Sequence, residues 1–391
     1  MFLVRTMFKG FGSHWGAAAV LVSSFWGAFP AHAGEMIALV RPHGETVYYD
    51  RAEGEKAFPK VNLTEQFTTE SLTFNITYED MNAGFTDPVT GPDMRGRLED
   101  VLAYVAEVIN AGNRTLDIQV TASQFDGTGP LATAGTFFPV SGGFHRGSTL
   151  QRLATGVKPF PGFPEISITV DVGFAWNVSE ADPAPGTADF FSVLLHEVTH
   201  GLGFTSLIEQ DGSSSVGVGA YSFYDSLLTS GANGLNLLSG GNPPAFQTST
   251  TALTSDDIWF NGTQAVAMYG LDAAIPVYAP SPYEPGSSTS HWDINALQSP
   301  SVMTHAIILG TAQRKYAAVD LGALIDLGYT GISGQVGVSG SSGVAGCVPA
   351  DGVETSRASG GGGVMMVMLI FALLVSTWAM QFQSAPRQGG K

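Results

Sequence analysis

Disulfide cross-links have almost no place in this chain. Its 391 residues include one cysteine, Cys347. A single thiol cannot close a loop within its own chain, so the fold has to be held by an apolar core or by bound metal. Basic residues are also scarce: 17 Lys and Arg stand against 34 Asp and Glu, for a formal charge of −17 and a pI near 4.7. That balance excludes nucleic acid as a partner class, because phosphate binding draws on clustered Lys and Arg. It suits an exported protein and bound cations. Long apolar runs are missing from the interior and confined to the two ends, and no internal repeat is evident.

The ends read as targeting segments. Arg5 and Lys9 precede an apolar stretch over 16–29, and Pro30-Ala31-His32-Ala33 closes it with a small-x-small pattern. This predicts a cleavable export signal over 1–33. At the other end, 364–380 reads VMMVMLIFALLVSTWAM without a charge, about the minimum length for a membrane helix. Gly360 to Gly363 precede it, and Arg387 and Lys391 lie in the short basic tail, 381–391, which favours a cytoplasmic C-terminus. Two readings stay open, a permanent anchor and a transient sorting segment similar to bacterial glycine-glycine tags. The Gly/Ser-rich stretch 331–363, which carries Cys347, reads as a flexible linker. The expected location is extracellular or cell-surface, with membrane contact only through the C-terminal segment.

Between these ends, 34–68 is mixed and turn-rich and reads as an N-terminal extension or pro-segment. Leu72 to Tyr78 alternates as a strand does. Asp93 to Ala111 places Leu98, Val101, Leu102, Val105 and Val108 at helical spacing and meets Gly112. Leu116–Thr121 and Ile166–Phe174 read as further strands, and a helix follows over 188–201. This order predicts an α+β domain over 69–330 with a mostly parallel sheet. The strand before the helix is expected to border a cleft and to pair with an extended peptide. Residues 210–285 are rich in Gly, Ser, Thr, Asn and Pro and read as an insertion of loops and short elements, giving a loop-rich C-terminal subdomain.

The densest chemistry lies in His196-Glu197-Val198-Thr199-His200. Two imidazoles four residues apart leave the same face of a helix and can close on one metal ion. Glu197 sits beside the first of them, where a general base is needed. The apolar lead-in Phe190 to Leu195 buries such a helix, and Gly201 and Gly203 supply its stop. A catalytic zinc takes three protein ligands and keeps one open position. The compact pattern would put a third histidine at 206, which is Ser206. The ligand must come from elsewhere: His43, His145, His291 and His305 remain after signal removal, with Asp211, Asp293, Glu209 and Glu284 as carboxylate alternatives. Acidic turns such as Asp126-Gly127-Thr128-Gly129 are permissive for calcium, but no full EF-hand loop is present.

Three segments in order carry a family resemblance. They are the HExxH helix, Gly286-Ser287-Ser288-Thr289-Ser290-His291-Trp292-Asp293 followed by Ser301-Val302-Met303-Thr304-His305, and Asp320 to Tyr329. Over roughly 70–330 the chain resembles metzincin zinc metalloproteases, of the leishmanolysin-like and matrixin-like kinds, with a long insertion before the third histidine. The resemblance implies a mixed twisted sheet and an active-site helix. It implies Zn2+ held by His196, His200 and His291, with Met303 in the Met-turn. It implies Glu197 as the base that takes a proton from zinc-activated water as a peptide bond is hydrolysed. Some metzincins add a tyrosine that stabilises the oxyanion, for which Tyr316 and Tyr329 are downstream candidates. His305 departs from the pattern, because many relatives carry proline there. The expected activity is that of an exported zinc metalloendopeptidase acting on a peptide or protein. The alternatives are a surface adhesion protein on a protease-like fold and a non-proteolytic zinc hydrolase.

Overall fold

The computed structural model describes residues 36–332, apart from 43–45, 52–62, 80–82, 124–128, 233 and 271–272. The expected export signal over 1–33, His43, the Asp126 turn, Cys347, the apolar segment 364–380 and the basic tail lie outside the described residues. Among the described residues no helix is long and apolar enough to cross a membrane.

A seven-stranded sheet forms the floor of the molecule. Its strands are β1 (Met36–Val40), β2 (Val47–Asp50), β3 (Leu63–Thr68), β4 (Leu72–Tyr78), β5 (Arg114–Ser123), β6 (Ala132–Pro139) and β7 (Ile166–Asp171). They lie in the order β2-β1-β6-β7-β5-β4-β3. The sheet is mixed, as the resemblance implies, and not mostly parallel as the order of elements suggested. Only β4–β5 and β5–β7 run parallel, and the other four pairings are antiparallel. The physical reason is connection length. A parallel return needs a crossover of a dozen or more residues, and the chain between Ser123 and Ala132 is too short for one.

The boundary expected at residue 69 does not separate two sheets among the described residues. Residue 69 falls in the turn of the β3–β4 hairpin, and β1 buries Ile37, Ala38 and Leu39 against β6. The segment 34–68 therefore contributes strands to the same sheet as the rest of the domain. Short strands with few residues to alternate left little periodicity to recognise it by.

Three α-helices cover the sheet. Helix α1 (Gly91–Val108) starts with proline in its first turn, where the missing N–H costs nothing, and buries Met94, Leu98, Val101, Leu102 and Val105. Helix α2 (Gly147–Thr155) ends at Gly156, in the left-handed conformation. Helix α3 (Phe190–Gly201) carries the HExxH motif and is buried along its whole length. The Asp189 carboxylate caps it by accepting the Ser192 N–H at 2.9 Å. Burial works against the charge on Asp189, but bonds from Arg314 and Ser192 outweigh it and hold the carboxyl below its ordinary range. At the far end Gly201 presses on β7: a Cβ there would lie 2.6 Å from Ile166 Cγ2. Gly203, at φ +96°, turns the chain out of the helix.

The insertion is more than loops. It builds a second, antiparallel sheet from β8 (Leu228–Ser230), β9 (Leu235–Asn236), β10 (Ile258–Phe260) and β11 (Ile275–Val277), ordered β9-β8-β10-β11. Helix α4 (Thr263–Tyr269) follows β10, and α5 (Ala318–Leu327) closes the domain. The Asp326 carboxylate of α5 accepts the N–H groups of Gln264 and Ala265 at 2.9 and 2.8 Å, tying α5 to the start of α4. One continuous apolar core joins the two halves, from Leu72 and Phe74 through Leu194 to Phe260, Trp292 and Leu324.

Candidate metal centre

Helix α3 delivers His196 and His200 from one face, as the four-residue spacing requires. His291 arrives from the loop after β11. The three Nε2 atoms form a triangle with edges of 3.0, 3.1 and 3.2 Å, and all three rings are buried. Each Nδ1 meets a backbone carbonyl: His196 that of Val302 at 2.7 Å, His200 that of Phe204 at 2.6 Å, and His291 that of Ser287 at 2.8 Å. A carbonyl only accepts, so each Nδ1 carries the proton and donates. A neutral ring so arranged presents a lone pair at Nε2.

Three lone pairs within 3.2 Å of one another repel unless a cation lies among them. The triangle fits one: its centre is within reach of the roughly 2.0–2.1 Å typical of a zinc–imidazole bond. The buried group can therefore hold a metal ion, with Nδ1 partners of the kind that orient metal-bound histidines.

The third histidine is placed by hydrogen bonds more than by a regular element. Tyr278 N–H donates to the His291 carbonyl at 2.9 Å, and Thr289 N–H donates to the Tyr278 carbonyl at 2.8 Å. Thr289 holds φ at +66° to make this turn. Trp292 is fully buried, edge-on to Phe204 and Phe260 at 4.8 and 5.3 Å between ring centres. Its backbone N–H donates to the Met303 carbonyl at 2.8 Å, which joins the ligand loop to the turn holding Met303, itself fully buried.

Asp320 ties these pieces together. Its buried carboxylate accepts from Trp292 Nε1 at 2.9 Å, Ser301 Oγ at 2.5 Å, Val302 N–H at 3.1 Å and Ala317 N–H at 2.9 Å. It thus fixes the residue after His291 and also Val302, whose carbonyl orients His196. Sequence reasoning placed Asp320 in a terminal helix but did not find this role.

Glu197 faces the same cleft as His196, a cavity of about 160 Å³ that also involves Ala132, Thr304, His305 and Ile307. Burial pushes its carboxyl up to about 8, against the opposing effect of a hydrogen bond from Ala134 N–H. Its Oε2 has no hydrogen-bond partner. A cation at the histidines would draw the proton off, since a nearby positive charge favours the carboxylate.

The strand bordering the cleft is β6, and the expectation for the strand before the helix is corrected. That strand, β7, has β5 on one side and β6 on the other. On β6 the pairing with β1 ends at Thr136, opposite Val40. Among the described residues, Ala132 to Ala134 are paired by a strand on one side only.

Other candidates fall away from the centre. His145 bonds the Ser141 carbonyl at 2.7 Å. The three-histidine group includes none of Asp211, Asp293, Glu209 or Glu284. His305 lines the cleft but is not one of the converging rings. It stacks on Tyr278 at 3.5 Å between ring centres. The two tyrosines considered for the oxyanion are core residues. Tyr316 OH shares a hydrogen bond with Thr199 Oγ1 at 2.8 Å, and Tyr329 OH donates to the Leu202 carbonyl at 2.7 Å. Burial holds both hydroxyls well above their ordinary pKa.

Comparison with known protein families, curated proteins and solved structures finds no match for this chain.

Proposed function

We propose that this protein is an exported zinc-dependent metalloendopeptidase of metzincin type. The observation that carries the reading is a group of three converging imidazoles, one of which, His196, lines a cleft together with the buried Glu197. Zinc held by His196, His200 and His291 would act as a Lewis acid on water and on the substrate carbonyl, lowering the water's pKa towards about 7.

The chain's own groups then have defined tasks. Glu197 takes a proton from the attacking water and hands it to the leaving amine. Ala134 N–H holds its carboxylate in place. Apart from the Ala134 N–H, the one-sided stretch Ala132 to Ala134 of β6 offers main-chain groups to an extended peptide.

A larger cavity, about 450 Å³, adjoins the cleft and shares Thr304, Ala306 and Ile307 with it. Ile294, Leu297, Val302 and Ile308 line it, and Ile308 and Leu309 stand exposed nearby. This lining favours substrates with a bulky apolar side chain near the cleaved bond.

Casein digestion by the metal-loaded domain tests the proposal. Glu197→Gln is expected to retain the metal and to lose at least about 10²-fold in rate. A metal-loaded wild type that leaves casein intact favours the alternatives, a surface-binding protein or a zinc hydrolase of another substrate class.

A further inference from the structure

The cleft holds one more ring with catalytic chemistry, and it is not a tyrosine. His305 lines the same cavity as His196 and Glu197. It is held from two sides. Its ring lies nearly parallel to Tyr278, 8° between planes, and its backbone N–H donates to the Trp292 carbonyl at 3.2 Å. Tyr278 in turn is bonded through its backbone to Thr289 and His291, so the stack is keyed to the third-ligand loop. Two groups lie near Nδ1, the Ile294 N–H at 3.4 Å and the Trp292 carbonyl at 3.3 Å, and a neutral ring can serve only one of them. The Trp292 carbonyl already accepts the His305 backbone N–H, whereas the Ile294 N–H can only donate, so Nδ1 accepts from Ile294 and the proton of a neutral ring sits on Nε2. That nitrogen is then the one left to meet a ligand in the cavity.

We propose that His305 is a catalytic residue whose Nε2–H donates a hydrogen bond to the carbonyl oxygen of the scissile peptide as charge builds there. The inference rests on the peptidase reading above. The water oxygen bonds to the carbonyl carbon, and the C=O π electrons move onto the oxygen that His305 faces. The water's proton goes to Glu197. When the C–N bond breaks, that proton passes to the leaving amine. His305 exchanges no proton, so its effect is stabilisation of the oxyanion alone. Tyr316 and Tyr329, bonded within the core, are unsuited to the task, and the Tyr278 hydroxyl is engaged by Glu284.

The test compares wild type, His305→Ala and His305→Gln, each loaded with zinc and checked for metal content. The substrate is a quenched fluorescent peptide built on a bond that wild type cleaves in casein. A phosphinic peptide replacing that bond serves as the binding probe, measured by calorimetry. His305→Ala is expected to keep full metal and to lose about 10²-fold in kcat, with little change in KM. Its affinity for the phosphinic peptide should fall by a similar factor, because that ligand presents the tetrahedral oxygen. His305→Gln, which retains an N–H donor, should recover part of both losses. Unchanged kcat and inhibitor affinity in His305→Ala overturn the assignment. So does loss of metal together with the ring, which would make His305 a support of the metal site. If metal-loaded wild type cleaves no casein, the peptidase reading itself fails and this role falls with it.

Discussion

His196 and His200 are held by one helix, whereas His291 is held by a set of hydrogen bonds between loops. On α3 the spacing of the two rings follows from backbone geometry, and the cap at Asp189, the fully buried body and the Gly203 exit all reinforce one local structure. On the His291 side no regular element sets the ring. Tyr278, the Trp292 backbone, the Ser287 carbonyl and the Asp320 carboxylate each supply a constraint. The contrast teaches that a helix supplies the spacing of two ligands by itself. A ligand ninety-one residues away from His200 needs a folded insertion to bring it back.

The difference can be sharpened experimentally. The largest effect is expected from His291→Ala. Metal affinity should fall by more than the 10–100-fold typical of an outer partner, while His305→Ala leaves it unchanged. Metal titration checks this, and equal affinity in His291→Ala and wild type would remove His291 from the centre.

Asp320→Ala comes next. It strands four donors in a buried position. A loss of about 3–5 kcal/mol is expected in urea unfolding, with metal affinity lower by about 10-fold or more. If stability falls without a change in metal affinity, the link from Asp320 through Val302 to His196 is broken as an explanation.

Glu165, the residue just before β7, is a buried carboxyl whose neutralisation is expected to stabilise the fold at high pH. Burial raises the Glu165 carboxyl from its ordinary value to about 7, with Lys158 opposing the shift. A raised folded-state pKa means that its contribution is fully present below the unfolded value of about 4.3 and is lost as pH rises through about 7. Glu165→Gln should therefore match wild type near pH 4 and exceed it by about 3–4 kcal/mol above pH 8. Unfolding at a series of pH values checks the sign, and a gap that widens towards acid would contradict it.

The smallest effect is expected from Tyr316→Phe. It removes one buried hydrogen bond to Thr199, worth about 1 kcal/mol. Peptidase activity should stay at the wild-type level, and a fall of tenfold or more would return this tyrosine to the cleft.

Legibility in the sequence follows the same contrast. The β4 alternation and α1 are readable because one face of each is buried at the period of its own backbone. The motif helix is buried on every side and is readable from its paired histidines and its glycine exit instead. Strand β6, reading ATAGTFFP, has small residues and a buried run in place of alternation, so nothing marked it. Helix α2 opens on Gly-Ser-Thr, which reads as a turn. His291 was reached through the resemblance of its flanking residues, and no spacing rule would have selected it over His305. Asp320 was visible as a residue, but its four donors come from three separate stretches of chain.

The three groups that set the ligand tautomers are all main-chain carbonyls, those of Val302, Phe204 and Ser287. Every amino acid offers that same oxygen. Substitutions at these three positions can therefore change the side chain and still leave the imidazoles aimed, provided the local path of the chain survives. At Phe204 and Val302, which are buried in the core, that freedom extends only to side chains that fill the same apolar space. Mutational scanning should then find intolerance at the turns that shape the carbonyls, among them Thr289 and Gly203.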